Sequence, residues 1–585
     1  MPLPRRRREW IIRKRANGVA MLSRRRLLWI GGGVVAGLSL FPKSARSHGP
    51  AASHAGSPKL QKFVDPLPRL DQALKPSGTH EGSPLYEIAM RAVRQRLHRD
   101  LPPTPLWAYA GQFPGPTLDV RTGQRIFVRW VNEIPDGDFL IPQAFDAHLH
   151  GTHHGEPPTK TVVHLHGAVV APDSDGRPDA WFSNGFAQRG AEWTREIYEY
   201  PNQQDACLLW YHDHAIGQTR LNVHAGLAGA YLIRDDHEDA LGLPGGDHEV
   251  LLMIQDRSFA PDGSLTYPMA ESAGSADRPG PWVPEFFGDT ILVNGKAWPH
   301  LEVEPRKYRL RILNGSNARF YQLRLADGRS FLQIGTDQGL LPAPVEVRRL
   351  LLAPAERADV IVDFRGARGS IRLLNDAPTP YPNGETPDRR TTANVMEFRV
   401  GRRLARPDTA RIPDKLRAVN PLLEREAKVR YMAFSEYKNA KGEPTAVLLN
   451  GRKWDAPVTI QCKVGDTEVW HLINPTEDAH PIHLHLVRFQ VLDRQKFDGD
   501  DYLKAWNAEI PGEGPDPISA EPYLRGSRIP PPPQERGWKD TVRVDPGEVV
   551  RIIARFDGVP GKYPWHCHVL EHEDNEMMLQ FELVP

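Results

Sequence analysis

The feature that most limits what this chain can become is that it repeats itself. Ile291-Leu-Val-Asn294-Gly295-Lys-Ala-Trp298 returns as Val447-Leu-Leu-Asn450-Gly451-Arg-Lys-Trp454, 156 residues on from Asn294 to Asn450. Both copies lead into alternating apolar and polar positions, the pattern of a strand with one buried face. The echo continues from Ile312-Leu313-Asn314 to Leu472-Ile473-Asn474, and from Pro354 through Phe364 to Pro546 through Phe556. In the first third, Gly123 precedes Asn132 by the interval that separates Gly465 from Asn474, with Ile126-Phe127-Val128 alternating towards it. A chain of 585 residues exceeds the roughly 250 to 300 that one core supports. Its 55 prolines and 49 glycines supply the turns that short strands need. An all-β chain of three consecutive β-sandwich domains is therefore expected.

The repeat also supplies an internal control. Aligning its second and third copies puts Phe320, Leu323 and Leu325 where the third copy has His480, His483 and His485. The strand packs with apolar side chains at these positions, so its histidines are not explained by packing. Four His-x-His pairs occur on apolar, strand-like runs, two in each outer third: His164-Leu-His166, His212-Asp-His214, His483-Leu-His485 and His566-Cys567-His568. Residues i and i+2 of a strand share a face, so each pair presents two imidazoles together and the four could converge as eight ligands. Imidazole suits copper, zinc, iron and nickel alike. Cys567 narrows the choice. Lying between His566 and His568, it faces the other side of the strand, and a thiolate with two imidazoles and a weak thioether is the blue-copper arrangement. Cys567, His480, His572 and Met577 can supply that set, with Met578 as the competing thioether.

At these residues the chain resembles the multicopper oxidases over nearly its whole mature length. It is most similar to the branch of bacterial spore-coat laccases and bilirubin oxidases, on His-Pro-Ile-His-Leu-His at 480 to 485 and His-Cys-His at 566 to 568. The resemblance implies cupredoxin-like Greek-key domains, which the repeats bound at 58–236, 247–405 and 425–585, the middle one without copper ligands. It implies four coppers. His480, Cys567, His572 and axial Met577 would hold the type 1 ion, with one of the two histidines near the surface. His164 and His483 would hold type 2, and His166, His212, His214, His485, His566 and His568 the type 3 pair. It further implies that Asp175, in Pro-Asp-Ser-Asp-Gly-Arg-Pro, and Glu573, directly after His572, relay protons to the cluster. Surface or turn acids are the bland alternative for both.

The expected activity is one-electron oxidation of phenols, aromatic amines or bilirubin-like donors, coupled to four-electron reduction of dioxygen to water. A cuprous or other metal-ion oxidase is the runner-up, disfavoured because the chain has only nine methionines, with Met577-Met578 the one adjacent pair. A non-catalytic envelope protein of the kind that has lost copper is less favoured, since every ligand position is filled, while copper binding without turnover is left to oxygen uptake with a phenolic donor to separate. Two-domain nitrite reductases lack the four pairs. Isoleucine 529 to Asp540, with its four prolines, reads as a rigid polyproline connector.

The remaining signals are weaker. His148-Leu-His150-Gly151 mimics the first pair, yet its neighbours, with His153 and His154, read as a histidine-rich loop. Cys207 and Cys462 sit in apolar strands as buried thiols, and three cysteines give no disulfide framework. A net charge of +1 argues against a nucleic-acid binder, and nothing indicates an obligate oligomer, so a monomer is expected. Ser23-Arg24-Arg25-Arg26-Leu27-Leu28 followed by apolar Trp29 to Phe41 reads as an export signal spanning 1–47. It resembles the twin-arginine type, and its apolar run is too short to span a membrane stably. Its cleavage point near Ser44-Ala45-Arg46-Ser47 is poorly specified, and Met21 could be the start. A periplasmic or secreted protein is expected.

Overall fold

The computed structural model describes residues 56–585 apart from 138, 153–155, 271–272, 274–279, 425–426 and 509. The expected export signal at 1–47 and His153 and His154 lie outside the described residues. Strands are joined by turns and, from Asn132 to Val163, His166 to Ile197 and Val400 to Lys428, by long loops, with only brief helices such as Thr219–Ala225, Gly499–Trp506 and Leu570–Asp574. Among the described residues no helix is long and apolar enough to cross a membrane.

Three pairs of sheets share one topology. In each, a long strand runs parallel to the strand carrying the repeated Asn, which in turn runs antiparallel to a third. Ser83–Gln95, Ile126–Asn132 and Ile197–Tyr200 do this first. Glu249–Phe259, Lys307–Asn314 and Arg357–Asp363 do it again, and Lys428–Lys438, Thr467–Asn474 and Glu548–Arg555 repeat it. The facing sheets also match, running Gly115–Arg121, Ala228–Arg234, Cys207–Asp213 and Val163–His166 in the first copy. Such mixed Greek-key sandwiches, one per repeat, make three cupredoxin-like domains.

The repeated landmarks have specific work. Asn294 and Asn450 adopt left-handed backbone before glycines that do the same, the requirement of a tight hairpin turn. Their Oδ1 atoms accept from the amides of Met253 and Ala433. Asn132, Asn314 and Asn474 each cap their own strand end, accepting from the amide two residues on: Ile134, Ser316 and Thr476. Each sandwich closes over its own apolar core, centred on residues such as Trp130 and Tyr211, Leu310 and Phe398, and Trp470 and Phe581. A further apolar cluster joins first and middle copies through Leu208, Trp210, Leu251 and Leu313. Val162, Trp181, Ala215 and Ile216 meet Trp454 and Met578 across first and third copies.

Candidate metal centre

The strand Val163–His166 lies beside Cys207–Asp213 so that His164 is opposite His212. In the third copy His480–Leu484 lies beside Gly561–Cys567, with His483 opposite His566. His214, His485 and His568 follow directly on these strand ends. All eight histidines are at most 1% exposed, and their rings meet: His164 stacks on His485 at 3.7 Å and His166 on His483 at 3.6 Å between centroids.

Six of the eight rings are aimed by a hydrogen bond from one nitrogen to an oxygen, which fixes the tautomer and leaves the other nitrogen as a lone pair. The Nδ1–H groups of His164, His212, His483 and His566 donate to the backbone carbonyls of Asp175, Asp213, Asp540 and Cys567 at 2.6, 2.8, 2.8 and 3.0 Å. That of His485 donates to Asp175 Oδ2 at 2.8 Å. His166 is reversed, with Nε2 on Asp540 Oδ1 at 3.1 Å. The nitrogens left over, among them His164 Nε2, His166 Nδ1, His212 Nε2 and His483 Nε2, are buried without a hydrogen-bond partner. Orphaned buried acceptors are costly, and here they converge. His166, His212 and His568 form one trio within reach of a single ion, His214, His485 and His566 a second, and His164 approaches His483 and His485. The members of a His-x-His pair never share one of these two trios.

Burial pushes the rings of His212 and His483 down to about 3. Those of His164, His166, His214, His485 and His568 also fall well below the ordinary imidazole range, burial again being the main cause. Neutral imidazoles with free lone pairs are the ligand form.

Cys567 faces the opposite side of its strand, as alternation requires. Its Sγ lies 3.6 Å from His480 Nδ1 and 3.8 Å from His572 Nδ1, and the three side chains form a separate buried group. His480 is turned by Thr476 Oγ1, 2.8 Å from its Nε2, and Thr476 is held by Asn474, the landmark of the repeat. Met577 packs in the same core as Cys567, whereas Met578 belongs to the cluster on the other side. His480 and His572 are each 1% exposed.

Both expected acids are buried. Asp175 touches two ligand rings, with Oδ1 3.6 Å from His164 Nδ1 besides the bond to His485, and burial pushes its carboxyl up to about 8. The following Gly176 has φ +77, and a Cβ there would meet the Val163 carbonyl oxygen at 2.1 Å. Only glycine lets the acid come so close. Glu573 Oε2 lies 3.1 Å from His566 Nδ1 and its Oε1 3.7 Å from His214 Nε2. His148 and His150 fall in a turn-rich loop away from the eight rings, beside Asp146 and Glu576 respectively. Cys207 and Cys462 are buried free thiols.

Sequence reasoning missed Asp540, fully buried between His166 and His483. It closes the segment taken only as a connector, immediately before the strand Thr541–Val544, whose Thr541 lies opposite His483, and no sequence pattern marks it.

Comparison with known proteins agrees with this site. Two multicopper oxidase family models match, one over residues 424–585 and the other over 93–158 and 154–238. The chain is 48% identical to the laccase of Bacillus subtilis over 90% of its own length and 99% of that protein. It is 39% identical to multicopper oxidase LPR1 of Arabidopsis thaliana over 90% and 93% of the two chains. Among solved structures it resembles the laccase of Pediococcus acidilactici, with TM-score 0.67 and 28% identity over 90% of this chain and 95% of that one. With a buried thiol and imidazole set beside converging histidine trios, the chain belongs to the multicopper oxidases and is an oxidoreductase of the laccase type.

Proposed function

We propose that the chain oxidises small aromatic donors, phenols, aromatic amines or bilirubin-like molecules, and passes their electrons to dioxygen. The observation that carries this reading is the division of ten buried histidines into two sets joined by one residue. Cys567 belongs to one set by its thiol, and its carbonyl accepts from His566 of the other. On this reading His480, Cys567, His572 and Met577 hold a type 1 copper, and His164 and His483 a type 2 copper. The trios His166, His212, His568 and His214, His485, His566 each hold one type 3 ion, four coppers in all. Bound there, copper supplies one-electron oxidation of the donor and four-electron reduction of dioxygen to two waters.

The protein's own part is positional and protic. Complete burial excludes bulk water from the histidines, and carbonyls present their lone pairs without rearrangement. Asp175 and Glu573 lie against ligand rings from both outer domains and can hand on the four protons that each dioxygen consumes. Copper content and an optical spectrum on purified protein, with oxygen uptake on a phenol, test the reading. About four coppers and an intense blue thiolate band are expected, and colourless zinc-loaded protein would sink it.

Metal-ion oxidation is the second reading. Burial is the main influence on the Cys567 thiol and on His480, and the carboxylates of Glu573, Glu285 and Asp478 add negative charge near the thiol, Asp478 near His480 as well, a sign that favours a cationic donor. Comparing kcat/KM for ferrous or cuprous ion with that for a phenol in Asp478→Asn separates the two, since only the cation should suffer.

The domains are taken as 58–236, 247–405 and 425–585, the protein as a monomer, and 1–47 as a twin-arginine signal delivering it folded to the periplasm or beyond. Unimpaired export of Arg24→Lys with Arg25→Lys would remove that route.

A further inference from the structure

Among the described residues the middle domain supplies none of the proposed metal ligands, yet one of its side chains reaches the histidines through a single intermediary. Arg357 is 2% exposed and has five N–H groups. All five are used. Nη1 donates to Asp540 Oδ1 at 2.7 Å and to the Ala355 carbonyl at 3.1 Å. Nη2 donates to Asp540 Oδ2 at 2.5 Å and to the Asp337 carbonyl at 3.1 Å. Nε donates to the Leu208 carbonyl at 3.0 Å, on the strand that carries His212. Arg357 thus ties all three domains together, and its fork grips Asp540 with both nitrogens.

Asp540 is in turn the residue against which two rings are set, His166 through its carboxylate and His483 through its backbone carbonyl. A second middle-domain side chain, Gln338, donates to Asp540 Oδ2 at 2.6 Å and to the Gly167 carbonyl at 2.8 Å. The fit is tight: a Cβ on Gly167 would meet Asp540 Oδ2 at 2.5 Å and Gln338 Nε2 at 2.6 Å.

The repeat shows that the fold does not need this arginine. Arg357 pairs with Leu313, and in the third domain the matching pair is Val549 with Ile473. The sister position is a buried valine. An arginine buried with all its donors met costs desolvation that valine avoids, so its presence calls for a use other than packing.

We infer that Arg357, assisted by Gln338, is a positioning residue of the metal cluster. The copper-free domain uses it to clamp Asp540 and so fix the directions of His166 and His483. Arginine suits this because its planar fork fixes a carboxylate's orientation, whereas lysine offers only a point charge.

The inference rests on the copper reading above, and its test separates the two. Copper-loaded wild type, Arg357→Lys and Gln338→Leu are compared by copper content, the type 2 electron paramagnetic resonance signal, the type 3 near-ultraviolet band and the rate of copper loss to a chelator. Wild type without cluster copper would sink the parent reading and this inference with it. Given a loaded wild type, Arg357→Lys should keep the blue band, alter the type 2 signal and lose cluster copper about 10- to 100-fold more readily, the range for residues that support a ligand. Gln338→Leu should move the same signals less. Wild-type type 2 signal, type 3 band and copper retention in Arg357→Lys would overturn the inference. Should that variant fail to fold, the same result in Gln338→Leu overturns it, and an altered type 2 signal there upholds it.

Discussion

Two strands at matching positions of the repeat, Tyr321–Leu325 and His480–Leu484, show what the metal sites demand of the scaffold. Both pair antiparallel on two sides, Leu323 with Leu350 and Asn375, His483 with Thr541 and His566. Leu323 and Leu325 complete the middle core, whereas His483 and His485 leave lone pairs facing other imidazoles. The sandwich is thus stabilised by its sheets and cores, and the histidines are an addition that its architecture tolerates without requiring. The middle domain gives up ligands and keeps the joining role, contributing Arg357 to the cluster side and Tyr267 and Asn317 to Glu571, beside His572.

The largest effect should come from the residue with no counterpart in the middle domain. Cys567→Ser is nearly isosteric, so the fold should persist while the blue absorption disappears. Donor oxidation should fall more than about 100-fold, beyond the range for residues that only support a ligand. An intact blue band would break the contrast at its strongest point. Glu573→Gln should lower oxygen turnover by about 100-fold, the low end for a positioned proton donor, with the blue band unchanged. Wild-type turnover across the pH range would remove Glu573 from proton delivery.

The reciprocal exchange sharpens the comparison from the other side. Leu323→His places in the middle core an imidazole with neither metal nor carbonyl to meet it. Lost apolar burial and an unpaired polar group together should cost about 3 kcal/mol, read as a lower denaturant midpoint. An unchanged midpoint would mean that the middle sandwich can host the ligand as readily as the third.

Much of this was legible because repeats carry their own reference. Asn132, Asn314 and Asn474 and the two Asn-Gly turns mark equivalent positions by local chemistry, and strand alternation alone sends Cys567 away from His566. What stayed hidden depends on contacts between distant segments. Which of the six histidines other than His164 and His483 group as His166, His212 and His568 and which as His214, His485 and His566 follows from how two sheets of different domains face each other. Asp540 and Arg357 are 183 positions apart, and neither carries a pattern that would single it out.

The smallest expected effect tests the histidines' protonation directly. In an unfolded chain an imidazole titrates near 6.5, whereas burial pushes the folded His483 ring to about 3. Between those values the unfolded chain holds one more proton than the folded one. That ring's contribution to stability is therefore complete above pH 6.5 and is lost as pH falls, by about 1.4 kcal/mol per pH unit. In metal-free protein, His483→Leu should flatten the dependence of unfolding free energy on pH by that amount between pH 6 and 4. Asp175 acts in the opposite sense, because its folded carboxyl is raised from 3.8 to about 8 and its contribution is lost as pH rises. Asp175→Asn should accordingly steepen the same dependence. A slope left unchanged by His483→Leu would mean that the buried ring already carries its proton in the fold. It would then have no lone pair to offer, and the contrast between the two strands would no longer be one between ligand and filler.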